Sequence, residues 1–359
     1  MKPISSPAAE ISRGIQGTNP QWSERARTRL NRLTKPLGSL GSLETIAERM
    51  VAIGEEESFR ELRKMVYVFA SDHGIAAEGV SAYPKEVTRQ MVMNFLSNGA
   101  AINVLARLHG ARLVVVDVGV DGDLGPVPGM VDRKVRRGTR NMLHEPAMSE
   151  GELDRALEVG FEQAESAHEE GCRLLAVGEM GIGNTTSASA ITSVLTGQAP
   201  GLVTGKGTGL NPEAYAHKIR VVEAVVERHF PGGEEGSDPL KVLRSVGGLE
   251  IAAMTGMMLG AARHRIAVIV DGFISTAAAA LAYALEPRVK DYFFAGHCSE
   301  EPGHRFLLDF IGLEPILSLH LRLGEGTGAV LAMPVIESAL RVYSEMATFA
   351  SAGVSGATS

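Results

Sequence analysis

The chain has 359 residues, 45% of them hydrophobic and 21% charged, the composition of a globular protein with room for one large α/β domain or two smaller ones. A net charge of −7 and an aromatic content of 5% supply neither the basic face nor the stacking platforms of a nucleic-acid binder, so small molecules are the expected partners. Two cysteines, Cys172 and Cys298, cannot form a disulfide framework and fit a reducing compartment, the cytoplasm.

At the N-terminus, "MKPISSPAAEIS" has no apolar core of a signal peptide, and no apolar run anywhere reaches the ~18 to 20 residues of a membrane span. In "SLETIAERMVAI", Leu43, Ile46, Ala47, Met50 and Val51 recur at helical spacing behind Ser42, which predicts a capped helix. Five short apolar runs follow, each ending in a polar or glycine-containing turn: "MVYVFASDHG", "RLVVVDVGV", "RLLAVGEMGIGN", "RIAVIVDGF" and "DYFFAGHCS". Their continuous hydrophobicity predicts parallel strands covered on both faces, with helix-patterned segments between them. "FPGGEEGSDP", from Phe230 to Pro239, reads as an exposed loop. The stretch Ile251–Ala262, "IAAMTGMMLGAA", fits either a close helix contact between subunits or an ordinary buried helix. "GAVLAMPVIESALRVYSEMATF" predicts a long C-terminal helix.

The expected fold is therefore α/β: a doubly wound, mostly parallel sheet with Rossmann-like layering over residues 60–315. The terminal segments, 1–59 and 316–359, are expected to form a smaller helical lobe. Ligands of such sheets sit beyond the carboxyl ends of the strands. That rule puts Asp72, His73, Asp117, Glu179, Asn184, Asp271, His297 and Ser299 along one rim.

Two turns stand out along this rim. In "VGEMGIGNTT", Gly181 and Gly183 permit a turn that aims several N–H groups inward. Thr185 and Thr186 then put hydroxyls and the positive end of a helix dipole toward an anion. The loop lacks the lysine of a nucleoside-triphosphate loop and the three glycines of a dinucleotide fingerprint, so a single phosphate fits best. On the loop alone, a ligand-free strand-to-helix turn explains the pattern equally well. In "HLRLGEGTGAVLAMP", Glu325 stands between glycines ahead of a helix with Arg322 three positions earlier. An acidic residue in a first helical turn is ordinarily structural.

These stretches occur in order with "RLTKPLGSLGSLE", "ASDHGIAAEGVSAYPKEVT", "GTRNM", "VGGLEIAAMTGMMLGAA" and "VIVDGFISTAAAALA". Together they cover nearly the whole chain, which resembles the nicotinate-nucleotide:dimethylbenzimidazole phosphoribosyltransferases. The resemblance implies transfer of the phosphoribosyl group of nicotinate mononucleotide to dimethylbenzimidazole, giving the α-ribazole phosphate of the cobalamin lower ligand. It implies Glu325 as the general base and Glu179 as the carboxylate beside the reacting ribose. It also implies Gly181, Gly183, Asn184 and Thr185 as the phosphate cradle, Lys218 as its positive charge, and Ser299 and Arg322 as partners of the nicotinate carboxylate. No metal and no cofactor are expected, and a homodimer is. At the base pocket the chain departs from enterobacterial relatives, with Tyr83 where they carry serine and Met91 where they carry glutamine. A metal-dependent hydrolase built on Asp72, His73, Asp271 and His297 is the rival enzyme class, but no two of these stand in an i, i+4 ligand pair. A non-catalytic nucleotide sensor would keep the phosphate loop without needing Glu325.

Overall fold

The computed structural model describes residues 10, 12–59, 61–125, 127–232 and 238–355. Most of the stretch "MKPISSPAAEIS" and half of the Phe230–Pro239 loop lie outside the described residues. Among the described residues, seven strands form one sheet: β1 (Lys64–Ser71), β2 (Ala111–Gly119), β3 (Met130–Asp132), β4 (Leu174–Met180), β5 (Ala267–Val270), β6 (Phe293–His297) and β7 (Pro315–Leu317). Their order is β3-β2-β1-β4-β5-β6-β7, and every pairing is parallel. The five apolar runs are β1, β2, β4, β5 and β6, and from Leu174 to Val177 and from Ala267 to Val270 each residue is fully buried. The edge strands β3 and β7 escape a hydrophobic-run reading because each has only three residues, none of them buried.

Twelve described helices of two turns or more surround the sheet: α1 (Pro20–Leu30), α2 (Ser42–Gly54), α3 (Glu86–Leu96), α4 (Ala101–Leu108), α5 (Glu150–Glu169), α6 (Asn184–Thr196), α7 (Pro212–His229), α8 (Pro239–Val246), α9 (Leu249–Arg263), α10 (Phe273–Leu285), α11 (Pro302–Ile311) and α12 (Thr327–Glu345). Short helical turns join some of them. The Ala, Gly and Met stretch is α9, buried from Leu249 through Ala262. Its close contact is within the chain, against α5: a methyl added at Gly160 would strike the Ala253 carbonyl, and one at Gly256 the Leu157 carbonyl. Small residues let two backbones approach there.

The terminal helices touch one another. α2 lies against α1 and α12, Arg29 Nε donates to the Tyr343 carbonyl at 2.7 Å, and Leu33 bridges to Thr348. α12 also packs on β4, β5 and β6, and β7 spans the junction between residues 315 and 316. One local expectation needs correction. The cap of α2 is Gly41, with φ of +55° and no side-chain hydrogen bond, and Ser42 is already helical. The amide of Leu40 is instead satisfied by Glu44 Oε1 at 3.0 Å.

The sheet order reverses between β1 and β4. In open parallel sheets that is where a crevice forms beyond the carboxyl ends of the strands.

Candidate active site

A cavity of about 320 Å³ lies there, lined by segments that follow β1, β4, β5, β6 and β7. Glu179, Gly181, Asn184, Thr185, Ser299, Arg322, Glu325 and Tyr83 all line it. Eight of the eleven residues that sequence and resemblance assign to the site thus meet in one cavity, although Tyr83 and Glu325 come from opposite ends of the chain.

Glu325 is buried at its wall with 6% exposure. Its φ is +62°, between Gly324 at +81° and Gly326 at +85°. A glutamate in left-handed backbone costs about 1 kcal/mol or more and persists only where neighbours impose it. The imposing group is Asp271, past the end of β5, whose Oδ2 accepts the Gly326 amide at 3.0 Å and whose Oδ1 accepts the Ala329 amide at 2.8 Å. Thr327 Oγ1 donates to the Gly324 carbonyl at 2.8 Å. The turn also lies against β4: a methyl on Gly178 would collide with the backbone of Glu325 and Gly326. Burial, reinforced by the Asp271 charge, pushes Glu325 up to about 7. Its Oε2 has no hydrogen-bond partner among the described residues. A carboxyl poised near neutrality with a free oxygen in a cavity is suited to take a proton from a ligand.

Glu179, at the carboxyl end of β4, is pushed further, to about 8. Burial is the main cause, followed by the charges of Glu250 and Asp271, with Glu325 adding to them. Asn184 Nδ2 donates to its Oε2 and opposes the rise. Four acids therefore share one buried neighbourhood, which disfavours full ionisation and favours positive charge on a ligand.

The glycine-rich turn follows β4. Gly183, with φ of +97°, sets the start of α6 without facing the cavity, and its turn packs on His73 and Ala76. The Ile182 amide donates to Thr88 Oγ1 at 3.1 Å, which ties the turn to α3. Lys218, in α7, is fully buried and donates to Thr185 Oγ1 at 2.8 Å. Burial lowers it to about 8, against the pull of Glu301. Lys218 is not part of the cavity wall and reaches it through Thr185 and Gly207. Gly207 lies so close to both that an added methyl would sit 2.9 Å from Thr185 Oγ1 and 3.1 Å from Lys218 Nζ. Arg322, although exposed, donates to the Gly207 carbonyl at 3.2 Å.

Ser299 lines the cavity, and its amide donates to His304 Nδ1 at 2.8 Å. Burial holds His304 down to about 3, so its ring is neutral and its Nε2–H faces Thr276 Oγ1 at 2.9 Å. Tyr83 is 54% exposed at the mouth. Met91 is the other residue expected in the base pocket. It sits on α3, half-buried against the core, and is not among the lining residues. Thr88, Val92 and Phe95 form the buried side of that helix, and Met91 borders it rather than the cavity.

The rim residues divide. Asp271 and Glu179 serve the cavity, and His297 lines it 3.7 Å from Asp271. Asp72 accepts the Asp121 amide at 2.7 Å, and Asp117 accepts the Val120 amide at 2.9 Å and pairs with Lys134. His73 is buried against Glu250 and Ser187 beneath the glycine turn. Among the described residues, no three His, Cys, Asp or Glu side chains are grouped to hold a metal ion. Sequence reasoning misses Glu301 and Gly207. Both come from segments with no motif of their own.

A family model described as a phosphoribosyltransferase matches residues 15–354. The chain is 54% identical over 340 residues to the nicotinate-nucleotide–dimethylbenzimidazole phosphoribosyltransferase of Geotalea uraniireducens, covering 95% of this chain and 96% of that one. It is 50% identical over 330 residues to the protein of the same name from Chloroflexus aurantiacus, covering 92% and 93%. The crystal structure of CobT from Thermus thermophilus superposes with a TM-score of 0.89 at 48% identity, over 94% of this chain and 100% of that one.

Proposed function

The chain belongs to the nicotinate-nucleotide–dimethylbenzimidazole phosphoribosyltransferase family, and we propose that it moves the phosphoribosyl group of nicotinate mononucleotide onto dimethylbenzimidazole, or a related base, inside this cavity with Glu325 as general base. The product is α-ribazole 5′-phosphate, for the cobalamin lower ligand, and nicotinate departs.

The chemistry asks for a base and for little acid. The pyridinium nitrogen of the nucleotide leaves C1′ as a neutral nitrogen and needs no proton. The incoming benzimidazole attacks through its unprotonated nitrogen, and the hydrogen on its other nitrogen must go, or the product ring stays cationic. Glu325, with a free oxygen and raised to about 7, is the group suited to receive it. Attack on the face opposite nicotinate converts a β-nucleotide into an α-riboside. The acidic neighbourhood of Glu179 and Asp271 favours the positive charge that develops at C1′. We assign the phosphate to Gly181, Asn184 and Thr185, on the turn that Gly183 bends, with Lys218 behind it, and the nicotinate carboxylate to Ser299 and Arg322. A cytoplasmic homodimer, and a helical lobe of residues 1–59 and 316–359 carrying the Glu325 turn, belong to the same reading.

The observation that carries the assignment of the base is the partnerless Glu325 oxygen in left-handed backbone. Nicotinate mononucleotide and dimethylbenzimidazole mixed with the protein, without added metal, should yield α-ribazole phosphate. Glu325→Gln should lower turnover by about 100-fold or more with nucleotide binding nearly intact. Ribose phosphate as the product would overturn the transfer, and near-normal turnover in the variant would overturn the role of Glu325.

A further inference from the structure

Glu301 is a carboxylate in a place where a phosphate site would not be expected to have one. It lies at the N-terminal cap of α11, is 7% exposed and lines the cavity. Its Oε1 accepts the Gly207 amide at 3.0 Å, while its Oε2 is buried with no hydrogen-bond partner among the described residues. The charged groups facing it are Lys218 from α7 and Arg322 from the segment before the Glu325 turn. Lys206, beside Gly207, is exposed to solvent. Burial raises Glu301, and Lys218, the Gly207 amide and Arg322 oppose the rise.

Lys218 and Arg322 carry one positive charge more than the Glu301 carboxylate offsets, so the three groups leave a net charge of +1 for an anion. A dianionic phosphate placed on Thr185 and Lys218 would meet the free oxygen of Glu301 as like charges with no hydrogen between them, which opposes binding. One hydrogen removes the conflict. A phosphate monoester has its second pKa near 6 and so exchanges that hydrogen readily around neutrality. The hydrogen, carried in by the phosphate monoanion, then bridges a phosphate oxygen and the Glu301 carboxylate, which acts only as acceptor, and no other bond changes.

We propose that Glu301 makes this end of the cavity select an anion that brings one proton to share, so that it admits phosphate and rejects permanently deprotonated oxyanions of the same shape. The inference rests on the assignment of the phosphate to Thr185 and Lys218. It concerns a specificity-determining contact, and Lys218 and Thr185 alone would not discriminate in this way, since a lysine and a hydroxyl serve sulfate as well as phosphate.

The test measures inorganic phosphate and sulfate as competitors of nicotinate mononucleotide binding near pH 7, in the native chain and in Glu301→Gln. Glutamine keeps an oxygen for the Gly207 amide and offers an N–H donor where the carboxylate offers only an acceptor. The native chain should prefer phosphate over sulfate by about tenfold or more, and the variant should bind the two within about threefold. The native preference should fade as pH rises well above the phosphate pKa. Equal competition by the two anions in the native chain would overturn the inference without any variant, and so would an undiminished preference in Glu301→Gln. If neither anion competes while the nucleotide still binds and turns over, the seat of the phosphate is elsewhere and the inference falls while the transferase reading stands.

Discussion

Asp271 Oδ2 accepts the amide hydrogen of Gly326 at 3.0 Å. Through that bond a residue past the end of β5 fixes the backbone on which Glu325 sits, far later in the chain. Burial is the main cause of the raised Glu325, and the charge of the same carboxylate adds to it. One side chain thus fixes the position of the proposed base and adds to its proton affinity.

Asp271→Asn separates these effects. Asparagine has one acceptor for two amides, and its own N–H₂ would face a donor, so the turn should loosen at a cost of about 1–3 kcal/mol. Turnover should fall about tenfold or more with nucleotide binding largely kept. As the proposed base, Glu325 works ionised, so the rate of the native enzyme should rise as pH passes through about 7. Without the Asp271 charge that limb should move to lower pH. A profile of kcat/KM against pH that keeps its limb in place, with unchanged kcat, would show that Asp271 does neither job.

Much of this arrangement is legible in the chain. The apolar runs mark the five central strands because residues buried on both faces leave no polar position in the pattern. β3 and β7 are not legible, since three residues, none of them buried, carry no period. Asp271 and Glu179 are readable as strand-end acids, but the bond from Asp271 to Gly326 depends on where β5 lies beside α12. Glu301 leaves no local signal: its burial is made by Gly205 and Gly207, more than ninety residues away. Met91 falls outside the cavity because helical spacing on α3 says which residues share a side, not how far along the helix the cavity extends.

Glu179→Gln should stabilise the empty protein, and the gain should depend on pH. The folded value of Glu179, about 8, lies above its ordinary value of 4.5. The stability this group contributes is therefore fully present below pH 4.5 and is lost as pH rises through 8. Glutamine resembles the protonated acid, so the two proteins should melt together near pH 5. Near pH 8.5 the variant should be more stable by about 1–3 kcal/mol, while turnover suffers at both values. Thermal unfolding at the two pH values decides it, and a gain of equal size at both would rule out buried charge as the cause.

Lys218→Met keeps most of the buried volume of a fully buried side chain and removes its charge. Binding of nicotinate mononucleotide should weaken about tenfold or more, because a charge-assisted contact to phosphate is lost, whereas dimethylbenzimidazole should bind as before. The corresponding nucleoside, which has no phosphate, should be indifferent to the change. Titration calorimetry with the three ligands reads this directly. Equal weakening of nucleoside and nucleotide would make Lys218 a support for Thr185 alone.

The base that accepts the ribose should be chosen loosely. Of Tyr83 and Met91, the two residues expected to form the base pocket, only Tyr83 lines the cavity, and it does so half-exposed at the mouth. The amide of Tyr83 is held by Ser81 Oγ at 3.2 Å, which in turn meets Thr208 Oγ1 at 3.3 Å, so the aromatic ring is presented on a tethered turn rather than enclosed. A flat, partly open aromatic wall recognises a ring by its face. It has no polar group set to count methyls, and one methyl in an apolar setting is worth only about 1 kcal/mol or a little more. Benzimidazole and its methylated or methoxylated relatives should therefore be used at rates within about tenfold of dimethylbenzimidazole. Offered together at equal concentration, with the α-ribosides separated by chromatography, they should all appear among the products. Tyr83→Ser should change their ratio without abolishing transfer, because the proposed proton acceptor, Glu325, is untouched. Exclusive use of dimethylbenzimidazole by the native chain would mean that the pocket closes over the base when it binds, with walls that the free cavity does not present.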